Sequence, residues 1–201
     1  MPRSKERALF LKSLDIFGFK SFADRTTIEF SDGISALLGP NGCGKSNVVD
    51  AIKWVVGEQS AKSLRAETME GIIFNGTETR KALSVAEVTI TISNESGTLP
   101  LDVPEVAIKR RLYRSGESEY YINGRLAKLK EVRELFWDTG IGKSAYSVME
   151  QGKIDQILSS KPEDRRYLFE EAAGITKHKV RVREAETKLV RTEENMRQIE
   201  A

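Results

Sequence analysis

Hydrophobic and polar residues alternate along several short stretches in the first two thirds of the chain, a pattern typical of half-buried β-strands. The clearest alternation runs over residues 85–93 (VAEVTITIS), and turn-forming residues separate the stretches from one another. A hairpin is predicted around residues 115–118, and Asn123-Gly124 predicts a further turn. The predicted strands are residues 11–17, 26–30, 85–93, 106–114 and 119–122.

A different pattern surrounds a glycine-rich segment near residue 40. Residues 34–38 (ISALL) form a short continuous apolar run, which predicts a buried strand. Residues 47–57 (NVVDAIKWVVG) then carry apolar side chains at helical spacing, which predicts a helix. Between them, residues 39–46 read GPNGCGKS and match G-x-x-x-x-G-K-[ST], the phosphate-binding loop of nucleotide hydrolases.

Each part of this octet has a physical role in binding a nucleoside triphosphate. Its glycines allow backbone N–H groups to turn toward the β-phosphate, and the helix that follows adds the positive end of its dipole. Lys45 reaches the β- and γ-phosphates, and the Ser46 hydroxyl is a ligand for Mg²⁺. We therefore predict that the chain binds ATP together with Mg²⁺.

The last third of the chain has helical character. Residues 128–137 predict a helix, and the glycine-containing residues 138–142 end it. After Pro162 loop-forming residues become rare, and apolar residues recur at alternating spacings of three and four, as in a coiled coil. An ordinary amphipathic surface helix fits the same pattern, but the pattern continues to Ala201 without a helix-ending signal, so we expect a longer coiled coil. The seam residues are Val182, Ala185, Leu189, Thr192, Met196 and Ile199.

Composition and charge narrow the class of protein. The 201 residues include 32 Lys and Arg against 30 Asp and Glu, so the net charge of +2 creates no overall field for a polyanion, and any contact with nucleic acid must rest on local patches. No apolar stretch approaches the roughly 18 residues of a membrane span, and the first residues lack the apolar segment of a signal peptide. A single cysteine and a single histidine exclude a disulfide framework and a structural zinc site. We therefore expect a cytoplasmic protein without a membrane partner.

Further motifs occur in a fixed order along nearly the whole chain. Besides the phosphate loop they are residues 18–22 (GFKSF), 51–60 (AIKWVVGEQS), 64–65 (LR), 151–155 (QGKID) and 170–175 (EEAAGI). With these motifs the chain resembles the N-terminal half of the ATPase head of SMC (structural maintenance of chromosomes) proteins, the bacterial chromosome condensation and partition family. RecF, RecN and the double-strand-break repair ATPases share the phosphate loop but not the full set.

The resemblance implies an α/β fold, namely the N-terminal half of an ABC-type P-loop NTPase head with an antiparallel β lobe and the start of a coiled coil. Residues 1–174 would form the half-head, and residues 175–201 the root of the coiled-coil neck. In that family a C-terminal half, carrying the signature motif and the Walker B Asp-Glu, completes the head. The implied function is ATP-driven chromosome condensation and segregation in the nucleoid. The implied partners are the C-terminal half, a second ATP-engaged head in a homodimer, a kleisin subunit at the neck, and DNA bound without sequence preference.

Neither C-terminal motif is found in this sequence. No L-S-G-G-type run occurs, and the nearest Walker B candidate, Leu135-Phe136-Trp137-Asp138, is followed by Thr139 and falls in a predicted helix. The chain alone should therefore bind ATP but hydrolyse it inefficiently. Two alternatives stay open: a RecF-, RecN- or repair-type ATPase head, and a nucleotide-gated DNA-binding module without turnover.

The resemblance also assigns roles to single residues. Lys45, Gln151 and Arg65 are the implied catalytic residues, and Ser46 and Gln151 the implied metal-binding residues. A neutral amide such as that of Gln151 can bond both a Mg²⁺-bound water and the attacking water, and phosphoryl transfer requires such positioning. Arg65 would act near the nucleotide of the engaged dimer or at DNA. The implied nucleotide-binding residues are Lys20, Gly39, Pro40, Asn41, Gly42, Cys43, Gly44, Lys45 and Ser46.

Several of these residues have plainer interpretations when the resemblance is set aside. Lys20 would be a surface lysine, Arg65 a solvated helix arginine and Gln151 a solvated loop residue. Asn41 either reaches the γ-phosphate side or only shapes the loop. Cys43 is a small residue that fits a cradle made by backbone N–H groups, although a helix N-terminus and a nearby lysine favour a thiolate.

Basic residues also gather on the predicted hairpin. Strand alternation sends Lys109 and Arg111 to one face and Arg110 to the other, which weakens the case for a single DNA-binding patch that also includes Arg114. Contact with DNA would neutralise phosphates without reading bases.

Overall fold

The computed structural model of the protein describes residues 9–136, 166 and 175–200. The chain divides into two compact units, residues 1–143 and residues 144–201. Among the described residues, no helix combines the length and the apolar character that crossing a membrane requires.

The first unit is built on a six-stranded antiparallel sheet with the strand order β2-β1-β3-β4-β5-β6. All five strands predicted from alternation are present, and the Asn123-Gly124 turn leads to a short sixth strand. The β4–β5 connection is the predicted hairpin. The strands are β1 (Phe10–Phe17), β2 (Thr26–Glu29), β3 (Val85–Ser93), β4 (Glu105–Tyr113), β5 (Ser118–Ile122) and β6 (Arg125–Ala127).

One face of this sheet is apolar and forms the core with helix α1 (Lys45–Val55). Strand residues that point inward, such as Leu14, Val88 and Ile108, are fully buried. Trp54 of α1 is also fully buried, and its ring lies 5.3 Å from that of Phe19, which follows β1. This packing brings the segment after β1 against the helix that follows the phosphate loop.

The connection from α1 to β3 contains two 3-10 turns, Lys62–Leu64 and Glu70–Ile72. Ile72 and Ile73 are buried, and Ile73 forms an isolated β-bridge with Phe19. Helix α2 (Leu129–Leu135) follows β6 and lies within the predicted helix of residues 128–137, with Phe136 as its C-cap. Trp137 and Asp138 lie outside the described residues.

The predicted buried strand at residues 34–38 is wrong. This segment pairs with none of the strands among residues 9–136, and Ile34 and Leu38 are 103% and 89% exposed. A strand needs a neighbour that takes up its backbone hydrogen bonds, and the six-stranded sheet does not supply one. An apolar extended segment therefore lies on the surface directly before the phosphate loop.

The second unit contains helix α3, which spans Ile175–Glu200. Its predicted seam residues Val182, Leu189 and Met196 are 56%, 61% and 55% exposed. Thr192 donates a hydrogen bond to the Lys188 carbonyl one turn earlier. The division between half-head and neck at residues 174 and 175 stays a prediction.

Candidate functional site

The phosphate loop connects the exposed segment 34–38 to the first turn of α1. Gly42 and Gly44 have φ angles of +84° and +95°, a left-handed conformation that glycine adopts without steric cost. At Gly39 a Cβ atom would lie 2.7 Å from the Cys43 Sγ, so a larger residue there would force that thiol to move. These glycines therefore permit the tight turn that the motif predicted.

Lys45 folds back over this loop. Its Nζ donates hydrogen bonds to the carbonyl oxygens of Gly39 at 2.5 Å and Pro40 at 2.6 Å. The same nitrogen lies 3.9 Å from the Cys43 Sγ. The ammonium thus lies on the concave side of the loop. A phosphate group bound there would accept hydrogen bonds from the ammonium and from the backbone N–H groups.

The N-terminus of α1 completes an anion-binding arrangement. Its N-cap is Gly44, which supplies no side-chain cap, and the first turn contains no acidic residue. The first-turn N–H groups are consequently not satisfied by a side-chain cap, and the positive end of the helix dipole is not neutralised locally. Ser46 is exposed in this turn, with Asn41 exposed in the loop.

The donor set near the loop also fits Mg²⁺ in its usual protein setting. Within residues 9–136 and 175–200, no group of three or more His, Cys, Asp or Glu is arranged to hold a metal ion. Mg²⁺ is commonly held by few protein oxygens together with phosphate oxygens and water. The Ser46 hydroxyl is such a protein oxygen, whereas Gln151, the second predicted metal-binding residue, lies outside the described residues.

Lys20 is not a surface lysine. It has a φ angle of +49°, its backbone N–H donates to the Ile72 carbonyl at 2.6 Å, and its side chain is only 13% exposed. Its Nζ donates to the Asp50 carboxylate and to the Leu64 carbonyl. Packing therefore directs this lysine at α1, close to the helix end that carries the phosphate loop.

Arg65 contacts the same part of α1. It follows the 3-10 turn Lys62–Leu64 and has a φ angle of +53°, so it is not a residue of a solvated helix. Its Nη2 donates to the Ser46 carbonyl at 2.8 Å and to Asp50 Oδ2 at 2.5 Å, and its Nε lies 3.2 Å from the same oxygen. Lys20 and Arg65, separated by 45 positions in the sequence, thus meet at one carboxylate.

Sequence analysis did not single out Asp50. Its side chain is 3% exposed on a helix face whose neighbours Val48 and Ala51 are also buried. The sequence does contain a signal for Asp50, because an acidic residue on the apolar face of a helix is expected to be paired. The identity of its partners was not available, since both come from separate loops.

A second contact missed by sequence analysis joins the segment after β1 to the loop. The Asn47 side-chain amide donates to the Ser21 hydroxyl at 2.9 Å. A Cβ at Gly44 would lie 3.1 Å from that hydroxyl and 3.8 Å from the ring of Phe22. The GFKSF segment therefore packs directly against the last glycine of the phosphate loop.

An open cleft of about 850 Å³ begins beside these residues. Lys20, Asn47 and Arg65 line its end nearest the loop, and Phe74 and Arg114 line it farther away. The volume is in the range of small-molecule sites. Its lining also includes Glu67 and Glu70, so cationic, acidic and aromatic residues share the cleft.

The basic residues of the hairpin do not form one surface. The Arg110 guanidinium is 1% exposed and donates to the carbonyls of Trp54 at 2.8 Å and Glu58 at 2.7 Å. Burial lowers the pKa of Arg110 to about 10, so it stays charged at neutral pH. Arg114 donates to the Leu83 carbonyl at 2.6 Å and to Phe74. Both side chains are therefore engaged in holding the fold.

Lys109 and Arg111 lie on the other face of the sheet, as the alternation predicted, and there both are directed at Glu87. Arg111 Nε lies 2.5 Å and Lys109 Nζ 3.7 Å from this carboxylate, and Arg25 Nη2 lies at 3.1 Å. Burial alone would raise the pKa of the Glu87 carboxyl, but the hydrogen bonds from Arg111 and Arg25 and the charge of Lys109 outweigh it and hold the pKa below its ordinary value. Each of these cations is thus already partly neutralised.

Comparison with known proteins relates the chain to the same family that its motifs resemble. The model of the RecF/RecN/SMC N-terminal domain family matches residues 10–159. The chain is 55% identical over 192 residues to the chromosome partition protein Smc of Bacillus subtilis, which covers 96% of this chain. The match covers only 16% of that relative, so the chain spans about one sixth of its length.

Solved structures agree with this likeness. A chain from a study of ATP-driven dimerization and DNA-stimulated activation of SMC ATPases matches with a TM-score of 0.74 and 36% identity, covering 81% of this chain and 99% of that one. The Smc head domain with an extended coiled coil from Pyrococcus furiosus, bound to the C-terminal domain of ScpA, has a TM-score of 0.78 and 35% identity, covering 96% and 48%. RecF bound to ATP matches with a TM-score of 0.56 at 18% identity over 85% of this chain and 39% of that one, which shows a shared fold alone.

Proposed function

The chain belongs to the RecF/RecN/SMC N-terminal domain family, and from this premise we propose that it is the ATP-binding half of an SMC head. Joined to a C-terminal half with the signature and Walker B motifs, this head dimerises on ATP and hydrolyses it to drive chromosome condensation and segregation. The observation that carries the proposal is the phosphate loop at the uncapped N-terminus of α1, with Lys45 folded over its concave side. Relatives named chromosome partition protein Smc support the cellular role.

ATP would lie with its triphosphate against residues 39–46. Backbone N–H groups and Lys45 would hold the β- and γ-phosphates, and the Ser46 hydroxyl would hold Mg²⁺, which neutralises the developing charge of phosphoryl transfer. The base and ribose would occupy the adjoining cleft of about 850 Å³, past Lys20 and Arg65. Gln151 would orient water, as the family resemblance implies.

The exposed segment 34–38 supports the need for a second half. Ile34 and Leu38 present apolar side chains and unpaired backbone to solvent immediately before the loop. A strand contributed by the C-terminal half would pair with this backbone and bury these side chains. Such pairing would also fix the position of the phosphate loop.

An SMC head implies further partners. We expect a homodimer through ATP-engaged heads, a kleisin at the α3 neck, and sequence-independent DNA contact. The Pyrococcus furiosus relative was solved with the C-terminal domain of ScpA, and another relative was studied for DNA-stimulated activation. We place the protein in the cytoplasm, associated with the nucleoid.

The proposal is tested by calorimetric titration of the protein with ATP and Mg²⁺. We expect binding by the wild type and its loss in Lys45→Ala, because the phosphate charge then loses its paired cation. Lys53→Ala is the matched control, since Lys53 lies on the same helix and donates to the Ser63 carbonyl away from the loop. No ATP binding by folded wild-type protein would refute the proposal.

A measurement of ATP turnover distinguishes an ATPase head from a nucleotide-gated DNA-binding module without turnover. We expect the isolated chain to hydrolyse ATP near background and its mixture with the C-terminal half to restore turnover. In that mixture, Gln151→Ala should lower the rate more than the affinity. Substantial hydrolysis by the isolated chain would point to an overlooked base, with Asp138 the first residue to examine. Failure of the mixture to hydrolyse ATP while still binding it would favour the module without turnover.

A further inference from the structure

Asp50 connects two loops to the helix that carries the phosphate loop. It lies on α1 one turn after Ser46, and its residue is 2% exposed. Its Oδ2 accepts hydrogen bonds from Arg65 Nη2 at 2.5 Å and from Lys20 Nζ. One buried carboxylate oxygen thus receives two cations that belong to different parts of the chain.

The contacts around Asp50 form a closed path back to the phosphate loop. Arg65 donates to the carbonyl of Ser46, the residue that follows Lys45, while Lys20 donates to the carbonyl of Leu64, the residue before Arg65. Lys20 therefore has one bond to the carboxylate and Arg65 has two, and each side chain also donates to a neighbouring carbonyl. Moving any one of them disturbs the others.

The backbone at both cationic residues is held in an uncommon conformation. Lys20 and Arg65 have φ angles of +49° and +53°, where residues with a Cβ cost about 1 kcal/mol or more. Such residues persist only where surrounding contacts fix them. The shared bond to Asp50 is a contact that fixes both.

The cationic groups nevertheless face the cleft. Lys20 and Arg65 line it beside Asn47, and the Arg65 side chain is 53% exposed. Arg65 uses Nε and Nη2 for Asp50 and Ser46, which directs the remaining edge of its planar guanidinium away from α1. A phosphate or ribose oxygen in the cleft could bond this edge without displacing Asp50.

We propose that Asp50 is a positioning residue for the nucleotide reaction, acting through Arg65, whose guanidinium it holds beside the Lys20 ammonium. The proposal rests on the function proposed above. Asp50 fixes the guanidinium and ammonium relative to the phosphate loop, so that both charges are already in place when the triphosphate binds. The negative charge of Asp50 repels the negatively charged nucleotide. The carboxylate therefore improves the positioning of the two cations but lowers the affinity for ATP.

Because the carboxylate positions the cations but repels ATP, its removal should change the rate of hydrolysis and the affinity for ATP differently. Asp50→Asn keeps the shape of the side chain and removes one negative charge close to the site, which leaves the attraction for ATP unchanged or stronger. The cations lose their anchor, and a displacement of about 1 Å in a positioned group can cost up to about 100-fold in rate. We expect kcat to fall about tenfold or more while KM for ATP is unchanged or lower.

The experiment compares ATP hydrolysis by the full-length protein with that of Asp50→Asn, Arg65→Ala and the double variant. If Asp50 acts through Arg65, Asp50→Asn lowers kcat in the wild type but changes it less than about twofold in the Arg65→Ala background. Glu87→Gln is the matched control, because Glu87 is equally buried and ion-paired but lies on the opposite face of the sheet. It should leave kcat and KM unchanged.

The proposal is overturned if the effects of Asp50→Asn and Arg65→Ala multiply, or if Asp50→Asn raises KM in step with the loss of kcat. If Asp50→Asn does not fold, Asp50→Glu takes its place in the same cycle: it keeps the charge and moves the carboxylate by one methylene. A wild-type kcat in Asp50→Glu would equally overturn the positioning role. Lys45→Ala distinguishes the two proposals, since unchanged ATP binding and turnover in that variant would refute the proposed function and not the role of Asp50.

Discussion

The guanidinium of Arg110 lies 4.7 Å from the ring centroid of Trp54 while donating to the Trp54 carbonyl at 2.8 Å. The ring centroid of Tyr120 also lies 4.9 Å from this guanidinium. A charge in the middle of a core is unfavourable unless its donors are satisfied, and here the carbonyls at the C-terminal end of α1 satisfy them. Arg110 therefore connects the central sheet to the helix that carries the phosphate loop.

Arg110→Met should destabilise the protein by about 2–4 kcal/mol, because two buried carbonyls lose a charged donor. Arg111→Met is the matched control, since the neighbouring arginine points to the other face, its side chain is 36% exposed, and its partner Glu87 keeps Arg25 and Lys109 as cationic neighbours. It should cost about 1 kcal/mol or less. Urea denaturation of the three proteins measures both values. Equal losses would mean that burial of Arg110 contributes nothing specific.

Glu87 should give the protein an acid-sensitive contribution to stability. Its folded-state pKa lies below the ordinary value of 4.5, so its stabilising effect is fully present above about pH 4.5 and is lost as the pH falls through the lowered pKa. Glu87→Gln should therefore be less stable than the wild type at pH 7, and the difference should shrink below pH 4.5. Denaturation from pH 7 to pH 3 measures it, and a difference that stays constant across this range would contradict the ion-pair account.

Cys43 should report directly on the occupancy of the phosphate loop. Its thiol is exposed beside the Lys45 ammonium, and it is the single cysteine among the 201 residues. A thiol-reactive reagent should block ATP binding, because an adduct would collide with phosphate, and saturating ATP should slow labelling about tenfold or more. Mass spectrometry follows the labelling, with Cys43→Ser as the unreactive control. Equal rates with and without ATP would show that the nucleotide does not cover this part of the loop.

The α3 helix should be protected only when its seam is covered. Leu189 and Met196 are exposed, and a seam shorter than three heptads holds a helix weakly in water. Their amides should exchange quickly in the isolated chain and slowly after the C-terminal half is added. The amide of Ile90, in the central strand β3, serves as a protected reference in both states. Slow exchange at Leu189 in a verified monomer would favour a helix that folds back on its own domain.

The phosphate loop and most of the antiparallel sheet were predictable from the sequence because their determinants are local. Alternation over residues 85–93 identifies β3 to its exact ends, and the two strands of the β4–β5 hairpin were predicted to within about one residue. The glycines of the octet act on their own backbone, so Gly42 and Gly44 take the left-handed conformation that the motif requires. The role of Lys45 could be predicted from the same octet, because this lysine belongs to the motif.

What tertiary structure decided is which distant residues meet. Residues 34–38 have the composition of a buried strand, yet a strand depends on a neighbour, and the described sheet supplies none. Alternation placed Arg110 opposite Lys109 and Arg111, but only the packing of Trp54 shows that the Arg110 face is the core. The convergence of Lys20 and Arg65 on Asp50 is likewise a property of the fold, because the sequence marks Asp50 only as an acidic residue that needs a partner, and its partners reach it only when three separate segments pack together.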